Sequence, residues 1–303
     1  MSYTARVKEE IYLSRPSKSR HYRAFCYGLL LMGKKFGENG VLMTTEHITV
    51  SKLCGYAVRD SIGKKAAFSE GKNPRGTPLY TVELGIYDDC ERLMRFFDHY
   101  DDEVNISLTE GEEFPMFLTG AFMACGTVNE PSKSYHLEFI PPSGEIADLL
   151  FEQLSVAGYP PKSMTRRGQT VLYFKESEQI EDLLTLMGAT KCSLELMETK
   201  IYKDLRNRAN RAANCDAANA GKMFKAANQQ LEDIAFLKRH ELLETLPAQA
   251  LAVAQLREQN PEASLSELAK LSGLSRSGVN HRFNQIAQAA AAQREKLGGE
   301  SGE

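Results

Sequence analysis

Net positive charge is missing from this chain of 303 residues, whose formal charge at pH 7 is -3. That excludes a protein that coats nucleic acid indiscriminately, so any such affinity must come from local basic surface. Also missing is a Cys-x-x-Cys pair. The six cysteines stand at 26, 54, 90, 125, 192 and 215, most of them in apolar patterns where a thiol behaves as a small hydrophobe, so neither a zinc site nor a disulfide framework is expected. No apolar run approaches the roughly 18 residues of a membrane span and no signal peptide is visible, which makes a reducing cytosol the expected compartment and leaves the membrane out as a partner. The six histidines are scattered, and no cofactor or metal is expected. What the chain does have is an ordinary globular composition, 42% hydrophobic, and enough length for two or three domains.

The most informative stretch is LSELAKLSGLSRSGVNHRFNQI, Leu265 to Ile286, which spells two short helices around one glycine. Leu265, Leu268 and Ala269 share a face of the first helix, with Leu271 close by. Gly273 supplies the left-handed turn position, Leu274 plugs the corner, and Ser275 is placed to cap the second helix. In that helix Val279, Phe283 and Ile286 recur at helical spacing and face inward. The outward face carries Ser277, His281, Asn284 and Gln288, with Asn280 on its shoulder, Arg276 and Arg282 on the flanks, and no acid among them. Hydroxyl and amide side chains suit base edges in a major groove and flanking arginines suit phosphates or guanine, so double-stranded DNA is the expected partner. The competing interpretation is a solvated helix in an all-helical subdomain. Ser272 departs from the pattern, because an aliphatic residue would pack better just before the glycine.

Upstream, periodicity predicts an order that occurs twice. Helix 23 to 36, strand 40 to 45, helix 49 to 63, strands 64 to 69 and 78 to 84 and helix 87 to 99 are followed by helix 114 to 127, strand 134 to 140, helix 144 to 157, strands 162 to 166 and 170 to 175 and helix 178 to 187. The offset is roughly 90 to 98 residues, so a duplicated α/β unit is the economical explanation. Each unit opens on an apolar helix rich in small residues, CYGLLLMGK from Cys26 and LTGAFMACG from Leu118, with Gly28 and Gly120 in matching places. Small residues let two helices approach closely, which suits a pseudo-twofold interface.

The segment Leu118 to Gly126 resembles the LAGLIDADG helix of homing endonucleases. The whole chain resembles the WhiA family of bacterial DNA-binding regulators, through SYTARVKEEI (2 to 11), FLTGAFMACGTV (117 to 128), KDLRNRANRAANCDAAN (203 to 219), QLEDI (230 to 234) and SRSGVNHR (275 to 282). The resemblance implies an α+β chain: a duplicated, degenerate LAGLIDADG-like domain followed by an all-α helix-turn-helix domain. It further implies a role in transcription, cell division and chromosome segregation, in sporulation where the organism sporulates, a nucleoid location, and a protein partner from the transcription or division machinery. Lys34 and Lys35 at the end of its opening helix make the first half the poorer copy.

A LAGLIDADG nuclease needs an acid near the foot of each paired helix to hold a divalent cation. Those places match Gly33 and Cys125, so the catalytic site reads as dismantled and the chain as no enzyme. Glu38 and Glu130 each follow five residues later and keep open the alternative of a residual metal-dependent endonuclease, although both fall in turn segments where solvated acids are common. Lys72 and Arg75 in one strand connection and Arg166 and Arg167 in the other form either phosphate-tracking hairpins or ordinary charged turns. The duplicated domain equally suits binding of DNA, of protein or of a small ligand, and a protein-interaction scaffold with incidental DNA affinity is a further alternative.

The expected partition is a first half at 1 to 110, a second half at 111 to 198, a basic linker at 199 to 215, a helical domain at 216 to 297 with the helix-turn-helix at 264 to 291, and a disordered tail at 298 to 303. In the linker, Arg206, Arg208 and Arg211 are either phosphate contacts or a salt-bridged hinge, with Asp216 and the asparagines organising the junction. A long amphipathic helix through Met223, Phe224, Ala227, Leu231, Ile234 and Leu237 follows.

Overall fold

The computed structural model describes residues 1 to 14, 21 to 100 and 103 to 299. The chain divides into two units, one ending at Asp204 and the other beginning at Leu205.

The first unit opens with a helix that periodicity did not single out, α1 (Tyr3–Ser14), and then repeats one order twice. The first copy runs α2 (Tyr22–Leu31), β1 (Lys35–Gly37), β2 (Gly40–Thr45), α3 (Ile48–Ile62), β3 (Ala67–Lys72), β4 (Pro78–Leu84) and α4 (Tyr87–Phe97). The second runs α5 (Phe114–Cys125), β5 (Gly126–Val128), β6 (Leu137–Phe139), α6 (Gly144–Val156), β7 (Lys162–Arg166), β8 (Gln169–Phe174) and α7 (Ser177–Leu186). Each copy builds a four-stranded antiparallel sheet, in the orders β1-β2-β4-β3 and β5-β6-β8-β7. Register puts Met43 opposite Val82 and Phe139 opposite Leu172, so the inward faces are apolar and pack on the helices.

Several element bounds differ from the sequence-based expectation. The helix expected at 23 to 36 ends at Leu31 and that at 114 to 127 at Cys125, because the chain turns there into two short strands, β1 and β5, that periodicity missed. Three-residue strands are too short to display an alternation. At Gly33 an added Cβ would lie 2.9 Å from the Leu42 carbonyl oxygen, so β2 passes where a continued helix would need room. The strand expected at 64 to 69 lies at Ala67–Lys72, since α3 ends on Gly63 at φ 72° and an extended link precedes the strand. The strand expected at 134 to 140 shortens to Leu137–Phe139.

Helices α2 and α5 lie at the centre of the unit and touch through their glycines. An added Cβ on Gly28 would come within 2.2 Å of the Phe117 carbonyl oxygen, and one on Gly120 within 2.1 Å of the Phe25 carbonyl oxygen. Phe25, Leu29, Phe117, Leu118 and Phe122, none more than 1% exposed, flank this seam.

One helix, α8 (Thr190–Arg239), runs through the boundary between the units. The basic linker is therefore helical throughout: it contains no proline and is rich in alanine, arginine and lysine, all good helix formers. Asp216 is an exposed residue within that helix. Of the apolar positions expected to face a core, Ala227, Ile234 and Leu237 are buried and Leu231 is half-buried, whereas Met223 and Phe224 are exposed.

The second unit packs the end of α8 with α9 (Ala248–Gln259), α10 (Leu265–Ser272) and α11 (Arg276–Gly299). Its core joins Ile234 and Leu237, Val253 and Ala254, Leu268, and Val279, Phe283 and Ile286. Arg257, only 2% exposed, holds the α9–α10 connection. Its guanidinium donates to the Ala263 carbonyl at 2.5 Å, reaches the Pro261 and Asn260 carbonyls at 3.3 and 3.4 Å, and donates through Nε to Gln230 at 3.1 Å. Of the tail expected to be disordered, 298 and 299 belong to α11 and residues 300 to 303 lie outside the described residues. All six cysteines are free and four are buried, Cys125 being half-buried and Cys215 exposed. Among the described residues no helix is long and apolar enough to cross a membrane.

Candidate nucleic-acid interface

The turn between α10 and α11 forms as its residues dictate. Gly273 adopts φ 69°, a conformation other residues resist, and its Cβ position faces open space, so backbone conformation and not crowding requires glycine here. Ser264 caps α10 in a reciprocal box: its Oγ accepts from the Glu267 N–H at 3.2 Å, while Glu267 accepts from the Ser264 N–H at 2.7 Å and is thereby held below the usual carboxylate range. The Ser-x-x-Glu spacing of this box is a signal in the sequence that went unread. Ser275 accepts from the Gly278 N–H at 3.0 Å and so caps α11 as expected. Leu274 packs against the core, whereas Leu271 is exposed. Ser272 meets its partly buried position by turning its hydroxyl to the Ala269 carbonyl at 3.3 Å.

With Val279, Phe283 and Ile286 inward, α11 leaves Ser275, Arg276, Ser277, Asn280, His281, Asn284 and Gln288 exposed. Arg276 forms no ion pair among the described residues. Arg282 differs: it is half-buried, and its guanidinium donates to Gln249 of α9 and, at 3.3 Å, to Gln285. Packing has tied this flank of the helix to its scaffold.

The cations expected in the strand connections also divide. In the β3–β4 loop, Asn73 Oδ1 accepts the N–H groups of Arg75 and Thr77 at 2.9 and 3.0 Å, which shapes the turn and leaves Lys72 and Arg75 exposed. In the β7–β8 turn Arg167 and Gly168 both have positive φ, 54° and 79°, the geometry of a tight two-residue hairpin. Arg167 is exposed, while Arg166 makes a two-pronged pair with Glu138 at 2.8 and 3.1 Å. Arg206, Arg208 and Arg211 are exposed on α8.

The feet of α2 and α5 meet at a pocket of about 350 Å3 whose lining includes Gly33, Cys125, Lys8, Glu46, His47 and Gln169. Gly33 and Cys125 are thus brought together, but the residues do not fit a divalent cation. Burial pushes the Cys125 thiol up to about 12, so it stays protonated, and Lys8 adds an ammonium to the same space. Among the described residues no cluster of three histidines, cysteines or acids is arranged to hold a metal. Glu38 and Glu130 are not part of the pocket lining: Glu38 accepts from the Tyr87 hydroxyl at 3.4 Å and Glu130 pairs with Arg6 at 3.2 Å. Neither Lys8 nor Arg257 was singled out from the sequence. Lys8 had a signal, because Tyr3, Thr4, Val7, Lys8 and Ile11 form the buried stripe of α1 and the lysine interrupts it.

Two copies of an α-β-β-α-β-β-α unit with glycine-contacting first helices, followed by a helix-turn-helix unit, define the class: a LAGLIDADG-like domain joined to a helix-turn-helix domain. Residues 114 to 206 match the WhiA LAGLIDADG-like domain and residues 209 to 290 the WhiA C-terminal HTH domain. The chain is 32% identical over 314 aligned positions to a probable cell division protein WhiA of Clostridium perfringens, covering 96% of this chain and 98% of that protein. It is 28% identical to a probable cell division protein WhiA of Clostridium tetani, covering 96% and 97%. Full-length WhiA from Thermotoga maritima shares the fold at a TM-score of 0.57 and 20% identity, covering 96% of this chain and 99% of that one. The chain belongs to the WhiA family.

Proposed function

We propose that this protein is a sequence-specific DNA-binding regulator that reads duplex DNA through the N-terminal half of α11, and that its LAGLIDADG-like domain does not cut. The observation that carries the reading is the exposed, acid-free face of α11, where Asn280, His281, Asn284 and Gln288 stand clear of a packed and doubly capped scaffold. Amides in this position pair with adenine or other base edges. Of the expected phosphate contacts, Arg276, Arg206, Arg208, Arg211, Lys72, Arg75 and Arg167 form no ion pair among the described residues and are open to phosphates, whereas Arg166 and Arg282 would first have to give up the partners described above. The name carried by the clostridial relatives supports a role in cell division, and a place in the cytoplasm at the nucleoid would follow from reading DNA. A protein partner of the transcription or division machinery fits the same reading.

The test is selection of sheared genomic DNA by the purified protein at near-physiological salt, followed by sequencing of the bound fragments. Enrichment of one short motif, lost in Asn280→Ala/Asn284→Ala, is expected. Recovery of fragments with no common sequence would overturn the reading in favour of a scaffold whose DNA affinity is incidental.

A further inference from the structure

The pocket at the feet of α2 and α5 holds a charge that nothing among the described residues neutralises. Helix α1 is fixed beside it by many contacts: the Thr4 hydroxyl donates to the Val128 carbonyl at 2.8 Å and accepts from the Val128 N–H at 2.9 Å, and the Tyr3 hydroxyl donates to the Cys192 carbonyl at 2.6 Å. Arg6 pairs with Glu195, and Glu10 accepts the N–H groups of Lys191 and Cys192 at the start of α8. Between these anchors Lys8 is carried into the interior, 3% exposed.

Among the described residues no acceptor hydrogen-bonds to Lys8 Nζ and no carboxylate lies within ion-pair distance of it. Its neighbours are the Phe122 ring, with Nζ 5.8 Å from the centroid, and the Cys125 thiol, which burial keeps protonated. Burial lowers Lys8 to about 8, so the ammonium remains the main form at neutral pH. His47, also lining the pocket, is pushed down to about 4 by burial and then by Lys8, and adds no charge. The other charged groups of the lining are Lys34, which is exposed, and Glu46, whose carboxylate accepts from the Asn73 amide at 2.6 Å and forms no ion pair with Lys8. A buried ammonium without a counter-charge is costly to keep, and an anion entering the pocket would relieve that cost.

We propose that this pocket is a phosphate-binding site, in which the Lys8 ammonium stands where a LAGLIDADG nuclease holds its metal and receives the anion directly. The volume of about 350 Å3 admits more than inorganic phosphate, so the phosphate belongs either to a small phosphorylated molecule or to a DNA backbone. Replacing a cation held by carboxylates with a fixed ammonium keeps positive charge beside phosphate while removing the metal that activates water. The inference holds whether or not α11 reads DNA.

The test follows acylation of Lys8 in the full-length wild-type protein by mass spectrometry, in chloride at constant ionic strength, with inorganic phosphate or a short duplex added. Severalfold slower modification of Lys8 in phosphate, with exposed lysines such as Lys64 unaffected, is expected and identifies a free anion as ligand. Protection by duplex alone assigns the phosphate to DNA. Equal modification under all three conditions overturns the proposal. In parallel, phosphate should raise the thermal midpoint of the wild type and leave that of Lys8→Met unmoved; an equal rise in both would mean general ion stabilisation and would also overturn it.

Discussion

Gly120 lies so close to Phe25 across the central helix pair that a single added carbon would stand 2.1 Å from the phenylalanine carbonyl oxygen. The contact is reciprocated by Gly28 against Phe117, so the two halves of the first unit are joined backbone to backbone at equivalent points. This seam sets the distance between the helix feet, and with it the pocket that contains Gly33, Cys125 and Lys8.

Alanine at either glycine should therefore separate the halves. Gly28→Ala and Gly120→Ala are each expected to lose about 3 kcal/mol or more, because the obstructing atom is backbone and has no rotamer to retreat into. Gly55→Ala provides the contrast: it is a helical glycine with nothing within 4 Å of its Cβ position. That substitution should be neutral or stabilise by up to about 1 kcal/mol. Urea unfolding of the three variants measures the difference.

The two arginines flanking α11 should behave differently. Arg276 is exposed and forms no ion pair among the described residues, so Arg276→Ala should weaken DNA binding across all sequences and reduce the slope of log K against log salt by about 1. Arg282 is engaged with Gln249 and Gln285, so Arg282→Ala should lower the stability of the second unit and change the slope less. Fluorescence anisotropy over a salt series, beside thermal unfolding, separates the two effects. Equal slopes for both variants would show that Arg282 leaves its partners on DNA.

Restoring acids to the matched positions should not restore cutting. In Gly33→Asp/Cys125→Asp the new side chain at position 33 would begin 2.9 Å from the Leu42 carbonyl oxygen, and the Lys8 ammonium would compete with a divalent ion for both carboxylates. Incubation of this variant with supercoiled plasmid and magnesium is expected to leave the plasmid intact. The same double variant combined with Lys8→Met tests whether the lysine alone blocks the metal.

Lys8 also makes the stability of the protein depend on pH. Its native value of about 8 lies below the ordinary 10.5, so between those values the unfolded chain holds a proton that the native chain has released. Stability due to this residue therefore rises with pH across that window, by on the order of 3 kcal/mol, and its cost is fully present below about pH 8. His47 acts at the acid end: its native value of about 4 lies below 6.5, so its contribution is lost as pH falls between them. Urea midpoints of wild type and Lys8→Met should differ most near neutrality, with the variant more stable, and converge toward pH 10.5.

Much of this architecture was present in the residue pattern. Gly273 announced the turn between α10 and α11, Val279, Phe283 and Ile286 announced the buried face, and by subtraction the exposed face followed. The repeat was readable because Gly28 and Gly120 open its two copies and the long helices and strands kept their periods. Short elements were not readable: β1 and β5 have three residues each, and their pairing with β2 and β6 is decided by partners outside their own segments. The linker expected at 199 to 215 spans the boundary between the units, but its continuity as one helix went unread for a related reason, since its asparagines and charges suggested a junction while its alanines and arginines sustain the helix.

By itself the sequence determined the inward face of the helix-turn-helix and of the repeated helices and strands, the left-handed turn at Gly273, and that acids are missing from the feet of the paired helices. These are local properties, fixed by side-chain chemistry and helical or strand periodicity. Only the tertiary structure decided what stands in place of those acids and which cations remain free. Lys8 reaches the pocket because α1 is anchored to Val128 and Cys192, far away along the chain, and Arg282 is engaged because Gln249 comes from another helix. A charge's environment depends on neighbours that the fold assembles from distant segments, and no pattern within one segment carries that information.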